Sequence, residues 1–201
     1  DTSYGAGLRI GWQGKVSDRV TLGATYQTRT YMSEFDDYAG LFAEQGDFDI
    51  PENFAIGIAV AATPKLNIAF DIMRINYSDV NSIGNPNNHP FFGGTGVLGT
   101  DNGAGFGWED QTIYKLGFDY AYSKNLTLRA GFNHADNPIP SSQTTFNVLA
   151  PGVVEDHLTL GATWTMADGN ELTFSYMHAF ENDVNGNMTP TGSYNLKMYR
   201  N

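Results

Sequence analysis

Four histidines, His89, His134, His157 and His178, are the side chains best suited to proton transfer or metal binding near neutral pH. Two of them have an acid close by in sequence, His134 with Asp136 and His157 with Asp156. Such a pair imitates the orienting half of a catalytic dyad. No serine in a nucleophile-elbow context accompanies them, and adjacent residues on a strand point to opposite sides. The histidines also lack the spacing of a metal site, and with no cysteine there are neither disulfides nor thiolate ligands. No catalytic residue, metal or cofactor is assigned. Histidines wet at one end account for all four.

What remains is the chemistry of binding. Arg9, Arg29, Lys115 and Arg129 fall on the same side of their segments as Asp71 and Asp119. A buried cation there could meet a ligand carboxylate. Charges on an enclosed face usually pair with one another, so these six read as a lumen charge network. The apolar candidates lie elsewhere. Over Tyr38–Gln45 the spacing predicts a short amphipathic helix with Tyr38, Leu41 and Phe42 near one face. Further on, Pro90-Phe91-Phe92 and Val97-Leu98 interrupt a Gly/Asn-rich stretch. Apolar groups in loops are costly unless they pack together or meet a ligand. Either they cap the structure by loop–loop packing, or Tyr38, Leu41, Phe42, Phe91, Phe92, Val97 and Leu98 form an entry site for an apolar ligand.

The elements that must position these residues are strands. Four short polar turns, at 17–19, 63–65, 123–125 and 168–169, alternate with long loops at roughly 33–52, 78–110, 136–156 and 181–192. Every segment between them alternates apolar and polar. Near 4–16, Leu8, Ile10 and Trp12 oppose Arg9, Gly11 and Gln13; Ile68, Phe70 and Ile72 oppose Asn67, Ala69, Asp71 and Met73. A ninth such segment starts at Tyr194. Successive side chains on a strand face opposite ways, so each strand shows two chemically different faces. The strands are longer than the five or six residues typical of a globular sheet, and short turns keep to one end while long loops keep to the other. A soluble sandwich has no reason for that asymmetry; a transmembrane β-barrel has.

Composition agrees. Mean hydropathy is -0.33 and there are 11 tyrosines, 13 phenylalanines and 3 tryptophans. A barrel shows lipid only one side of each strand, so its average polarity stays near that of a soluble protein. No run of about 18 apolar residues exists that would make a spanning helix. The net charge of -11, much of it in loops, argues against nucleic acid as a partner. Those acids read as solvated, the alternative being an ion bridge to anionic lipid headgroups.

Several segments carry a family resemblance: Phe35 to Pro51 followed by Glu52-Asn53-Phe54; Asp71 to Val80; Gly107-Trp108-Glu109-Asp110; Leu128 to Phe132; Asn137 to Pro140; and Asn147 to Gly152. In this order they resemble the FadL/TodX outer-membrane transporters of Gram-negative bacteria. The resemblance implies an all-β, antiparallel barrel of roughly fourteen strands plugged by an N-terminal hatch. This chain, 1–201, would be one barrel domain supplying about the nine C-terminal strands, a fragment without the hatch, the early strands and the end of the last strand. It implies passive uptake of hydrophobic compounds, long-chain fatty acids or aromatic hydrocarbons, with no cofactor and no enzymatic step. Implied partners are outer-membrane lipid and lipopolysaccharide, hydrophobic small molecules and the missing N-terminal part of the barrel. Fatty-acid transporters of this family can carry a lysine shortly before the strand that begins near Asp110. Here that stretch is Asn102-Gly-Ala-Gly-Phe106, without a base, which leaves neutral hydrocarbons equally open. The reading from a different class is a structural or adhesive outer-membrane barrel with extracellular binding loops.

Overall fold

The computed structural model describes residues 1–87, 96–188 and 192–198. Eight strands form one antiparallel meander: β2 (Arg9–Lys15), β3 (Val20–Gln27), β5 (Asn53–Thr63), β6 (Leu66–Ile75), β7 (Gln111–Ala121), β8 (Leu126–Ala135), β9 (Asp156–Thr165) and β10 (Glu171–Ala179). The two-residue strands β1 (Gly5–Ala6) and β4 (Tyr31–Met32) pair with each other and prolong the first hairpin. The sheet is part of a barrel wall, as the alternating pattern predicts.

Strand register gathers the two chemistries onto separate faces. One row crosses six strands as Leu22, Ile58, Phe70, Leu116, Phe132 and Leu158, each opposite the next. One residue along, the row is Gly23, Gly57, Asp71, Lys115, Asn133 and His157. No second protein layer covers the apolar rows: Ile56 is 61% exposed, Leu160 50% and Phe174 67%. In water such a continuous surface would be an aggregation liability. Against hydrocarbon it is the correct outside of a barrel, because every backbone group between neighbouring strands is already paired.

Each short turn is built the same way. A Ser, Thr or Asp opens it, and its side-chain oxygen accepts the N–H two residues on, a local bond that reverses the chain cheaply. Ser17 accepts from Arg19 at 3.3 Å, Thr63 from Lys65 at 3.2 Å, Ser123 from Asn125 at 3.2 Å and Asp168 from Asn170 at 3.1 Å. Gly169 supplies the positive φ of 85° that the last turn needs.

Three expectations fail. The stretch 181–192, expected as a loop, holds β11 (Asn182–Met188). The segment expected as a ninth barrel strand, β12 (Gly192–Met198), pairs with β11 in a separate two-stranded sheet. β11 is rich in Asn and Asp, and its Val184 packs against Ile139 and Val153 of the loop core, while β12 keeps Tyr194, Leu196 and Met198 alternating with Ser193, Asn195 and Lys197. Backbone pairing within the hairpin satisfies both strands away from the eight-stranded sheet. The predicted helix over Tyr38–Gln45 is also absent as one unit. A 3-10 turn at Asp36–Tyr38 is followed by a break and a second turn at Ala43–Gly46, with Glu44 and Gln45 at φ of 54° and 59°. Their N–H groups bond across to the neighbouring loop, to Thr100 O at 3.3 Å and Gly99 O at 2.8 Å, instead of back along a helix.

Candidate functional site

The buried apolar residues lie in the loops or at the loop ends of strands. Ala43, Val80 and Val153 are 0% exposed, Ile139 1%, and Phe106 and Phe146 8%. The three long loops after β4, β6 and β8 therefore pack into a layer with its own small core. Expulsion of water from those side chains holds it together.

A chain of ring contacts runs through this layer. Tyr38 lies 5.7 Å from Phe42, Phe42 5.0 Å from Phe48, Phe48 6.3 Å from Phe106, and Phe106 stacks on Phe146 at 4.9 Å. It begins on the exposed Tyr38 in the first loop, crosses Phe106 of the second and ends buried in the third. Edge-to-face and offset contacts of this kind add to simple burial. Leu41 is half-buried beside it, Val97 is exposed and Leu98 half-buried. Phe91 and Phe92 lie outside the described residues. Sequence reasoning missed Phe48, Phe106 and Phe146, whose only signal was an aromatic residue among loop glycines and polar residues.

Hydrogen bonds pin the second and third loops together. The Trp108 indole N–H donates to the fully buried Asn147, whose amide donates to Phe106 O at 2.6 Å and Gln143 O at 2.8 Å. Gly107 has φ of 67°, and a side chain there would run into Gln143. Asn147 thus satisfies three groups that would otherwise be orphaned away from water.

Arg29, expected on the enclosed strand face, lies past the end of β3 within the loop layer. Its guanidinium meets Asp49 at 2.5 Å, Asp47 at 3.5 Å and Glu44 at 4.0 Å, and donates to Asp79 O at 2.9 Å. It ties the first loop to the second. Asp49 in turn accepts the Met32 N–H at 2.6 Å. Burial, with Asp49 and Glu44 close by, pushes the Asp47 carboxyl up to about 7, while Arg29 pulls the other way.

On the enclosed face Arg129 pairs with Asp119 at 3.0 Å and donates to Thr163 at 2.7 Å. Asp71 sits opposite Lys115 in register, and among the described residues neither these two nor Arg9 forms an ion pair within 4.0 Å. The histidine pairs regroup across strands. His134 Nδ1 lies 2.8 Å from Asp156, its register partner, and Nε2 4.0 Å from Asp136. His157 instead approaches Asn133 at 3.4 Å, and His89 lies outside the described residues. Register decided these partners, since side chains directly opposite on adjacent strands are the ones that meet.

Residues 1–200 match the family described as outer membrane protein transport protein (OMPP1/FadL/TodX). Among solved structures the chain is similar to a Pseudomonas aeruginosa FadL homologue, with 17% identity, a TM-score of 0.60, and coverage of 95% of this chain and 48% of that one. It is similar to a deltaS2 mutant of the TodX monoaromatic hydrocarbon channel, at 19% identity and TM-score 0.58, covering 92% and 46%. It also resembles the CymD monoaromatic hydrocarbon channel, at 20% and 0.52, covering 89% and 47%. A search of curated protein sequences found no match. The chain spans about half the length of these solved structures, and the likeness is one of fold. The family match over almost the whole chain decides the assignment: this is a member of the OMPP1/FadL/TodX family of outer-membrane transport proteins.

Proposed function

We propose that this chain forms wall and extracellular loops, the C-terminal part, of an outer-membrane channel that takes up hydrophobic compounds by passive diffusion. The observation that carries this reading is the ring chain from exposed Tyr38 to buried Phe146, set in loops at one end of the strands. An apolar ligand gains burial and dispersion contact against aromatic rings, and Tyr38, Leu41, Phe42, Val97 and Leu98 are its proposed contacts at the outer end of the ring chain. Gradients of affinity from loop to interior are sufficient to move solute, without cofactor or bond chemistry.

Neutral aromatic hydrocarbons fit better than carboxylates. Arg29, the cation of the loop layer described above, already faces three acids, and Arg129 faces Asp119. At either of these two cations a fatty-acid carboxylate would have to displace an internal partner. The solved relatives named as monoaromatic hydrocarbon channels lend weight to the same substrate class.

Uptake of tritiated toluene and of tritiated long-chain fatty acid by cells with and without the full-length parent tests both levels. Toluene uptake that depends on the protein and falls with Phe48→Ala supports the proposal. Equal uptake with and without the protein ends the transport reading in favour of a structural or adhesive barrel. Uptake of fatty acid alone would overturn only the substrate class.

A further inference from the structure

A polar cavity of about 650 Å³ lies between the second and third loops, over the loop ends of β6 and β7. Its walls include Arg74, Ser78, Trp108, Glu109, Ser142 and Gln143. Arg74 stands in register between Phe54 and Thr112, on the same face as Ile72 and Tyr114. The cavity therefore belongs to the outward side, just beyond the apolar band. It shares no lining residue with the ring chain described above.

Its charges exclude the obvious ligands. Arg74 is matched by Asp110 at 3.0 Å, so no free cation awaits a phosphate. Asp110 is already occupied by Arg74 and by the Ser78 N–H and hydroxyl at 3.0 and 2.7 Å. Glu109 is exposed, and no hydrogen bond or ion pair of its carboxylate is seen among the described residues. One open carboxylate does not make a cation site, and no group of three metal-ligating side chains occurs among the described residues. An apolar ligand would desolvate polar walls with nothing in return. A ligand with many hydroxyls and no net charge suits an open acceptor at Glu109 and an aromatic wall at Trp108. It also suits the Ser142 hydroxyl, whose oxygen accepts only a long bond of 3.4 Å from Gln143, and the second amide hydrogen of Gln143, whose oxygen already accepts the Asn87 N–H.

We propose that this rim cavity binds neutral sugar rings. On the outward side of an outer-membrane wall, two sources carry that chemistry: the saccharide part of an outer-leaflet glycolipid and a free oligosaccharide. The site depends on the membrane orientation of the sheet and not on the transport reading.

Equilibrium dialysis of the full-length protein against a tritiated neutral oligosaccharide of hexoses and heptoses, free of phosphate and sugar acids, tests it. Saturable binding is expected, weakened about tenfold by Glu109→Ala, which removes one charge-assisted hydrogen bond. Ser142→Ala is expected to weaken it about threefold through a neutral one. Tighter binding of the intact lipopolysaccharide in mixed micelles would make the glycolipid the source, and equal affinity the free sugar; both uphold the site. Absence of saturable binding, affinity unchanged in both variants, or competition by inorganic phosphate would overturn it. Toluene uptake by Glu109→Ala cells is expected to equal that of the parent, so the two proposals fail separately.

Discussion

The strands and the loop layer bury their apolar residues by opposite rules. In the sheet, Trp12, Ile56 and Leu172 are 59%, 61% and 59% exposed, while in the loops Val80, Ile139 and Val153 are at most 1% exposed. The same chain is thus turned outward along the strands and inward beyond them. A single solvent cannot favour both arrangements. Hydrocarbon around the strands and water around the loops can, since the hydrophobic effect acts only where water is the alternative. The sheet needs no inner apolar core because its partners for dispersion contact are lipid chains. The loops, standing in water, must build a core of their own.

The largest test of this contrast places a charge on the lipid side. Ile58→Arg, in the middle of β5 and opposite Phe70, is expected to cost about 2–4 kcal/mol in a urea titration of the protein folded into vesicles, as for a cation near the bilayer midplane. Gln13→Arg, on the other face of β2, is expected to change stability by less than about 1 kcal/mol. Equal costs at the two positions would erase the distinction between faces.

A smaller effect belongs to the loop layer. Asn147→Ala removes the partner of the Trp108 indole and of two carbonyls, and is expected to cost about 1–3 kcal/mol of local stability. Proteolytic nicking of the third loop should accelerate while the strand amides keep their hydrogen-exchange protection. Nicking that rises together with loss of strand protection would mean the two regions are one cooperative unit.

The smallest effect is a dependence on pH. Asp47 has its carboxyl raised from 3.8 to about 7 in the folded loop, so the folded form binds more protons than the open one between those values. Its contribution to loop stability is complete below about pH 4 and is lost as pH rises through about 7. The first loop should therefore be cut faster at pH 8 than at pH 5 by a protease whose activity is corrected for pH. Asp47→Asn should flatten that difference. Faster cutting at the lower pH would show the sign to be wrong.

Much of the wall was legible because alternation is a local signal. Leu66, Ile68, Phe70 and Ile72 alternate with Asn67, Ala69 and Asp71, and no other element type uses a period of two. The turns were legible for the same reason, each opened by Ser, Thr or Asp and followed within two residues by Arg, Lys or Asn. The loop layer was not, because its partners come from distant parts of the chain. Phe48, Phe106 and Phe146 each look like isolated aromatics until three loops meet. Arg29 has the parity of an enclosed strand position, yet β3 stops at Gln27 and leaves it free to gather Asp47 and Asp49. The hairpin β11–β12 escaped notice because Asn182–Met188 carries turn-forming residues, while its pairing rests on backbone bonds that side-chain patterns do not reveal.

The central claim, that hydrocarbon bathes one face of the strands and water the loops, is tested most directly by nitroxide accessibility in the full-length protein reconstituted into vesicles. A label replacing Phe70, in the outward row of β6, is expected to collide with dissolved oxygen and stay hidden from a water-soluble nickel chelate. A label replacing Val148, which is 62% exposed in the third loop, is expected to show the reverse. Nickel reaching position 70 as readily as position 148 would contradict the claim.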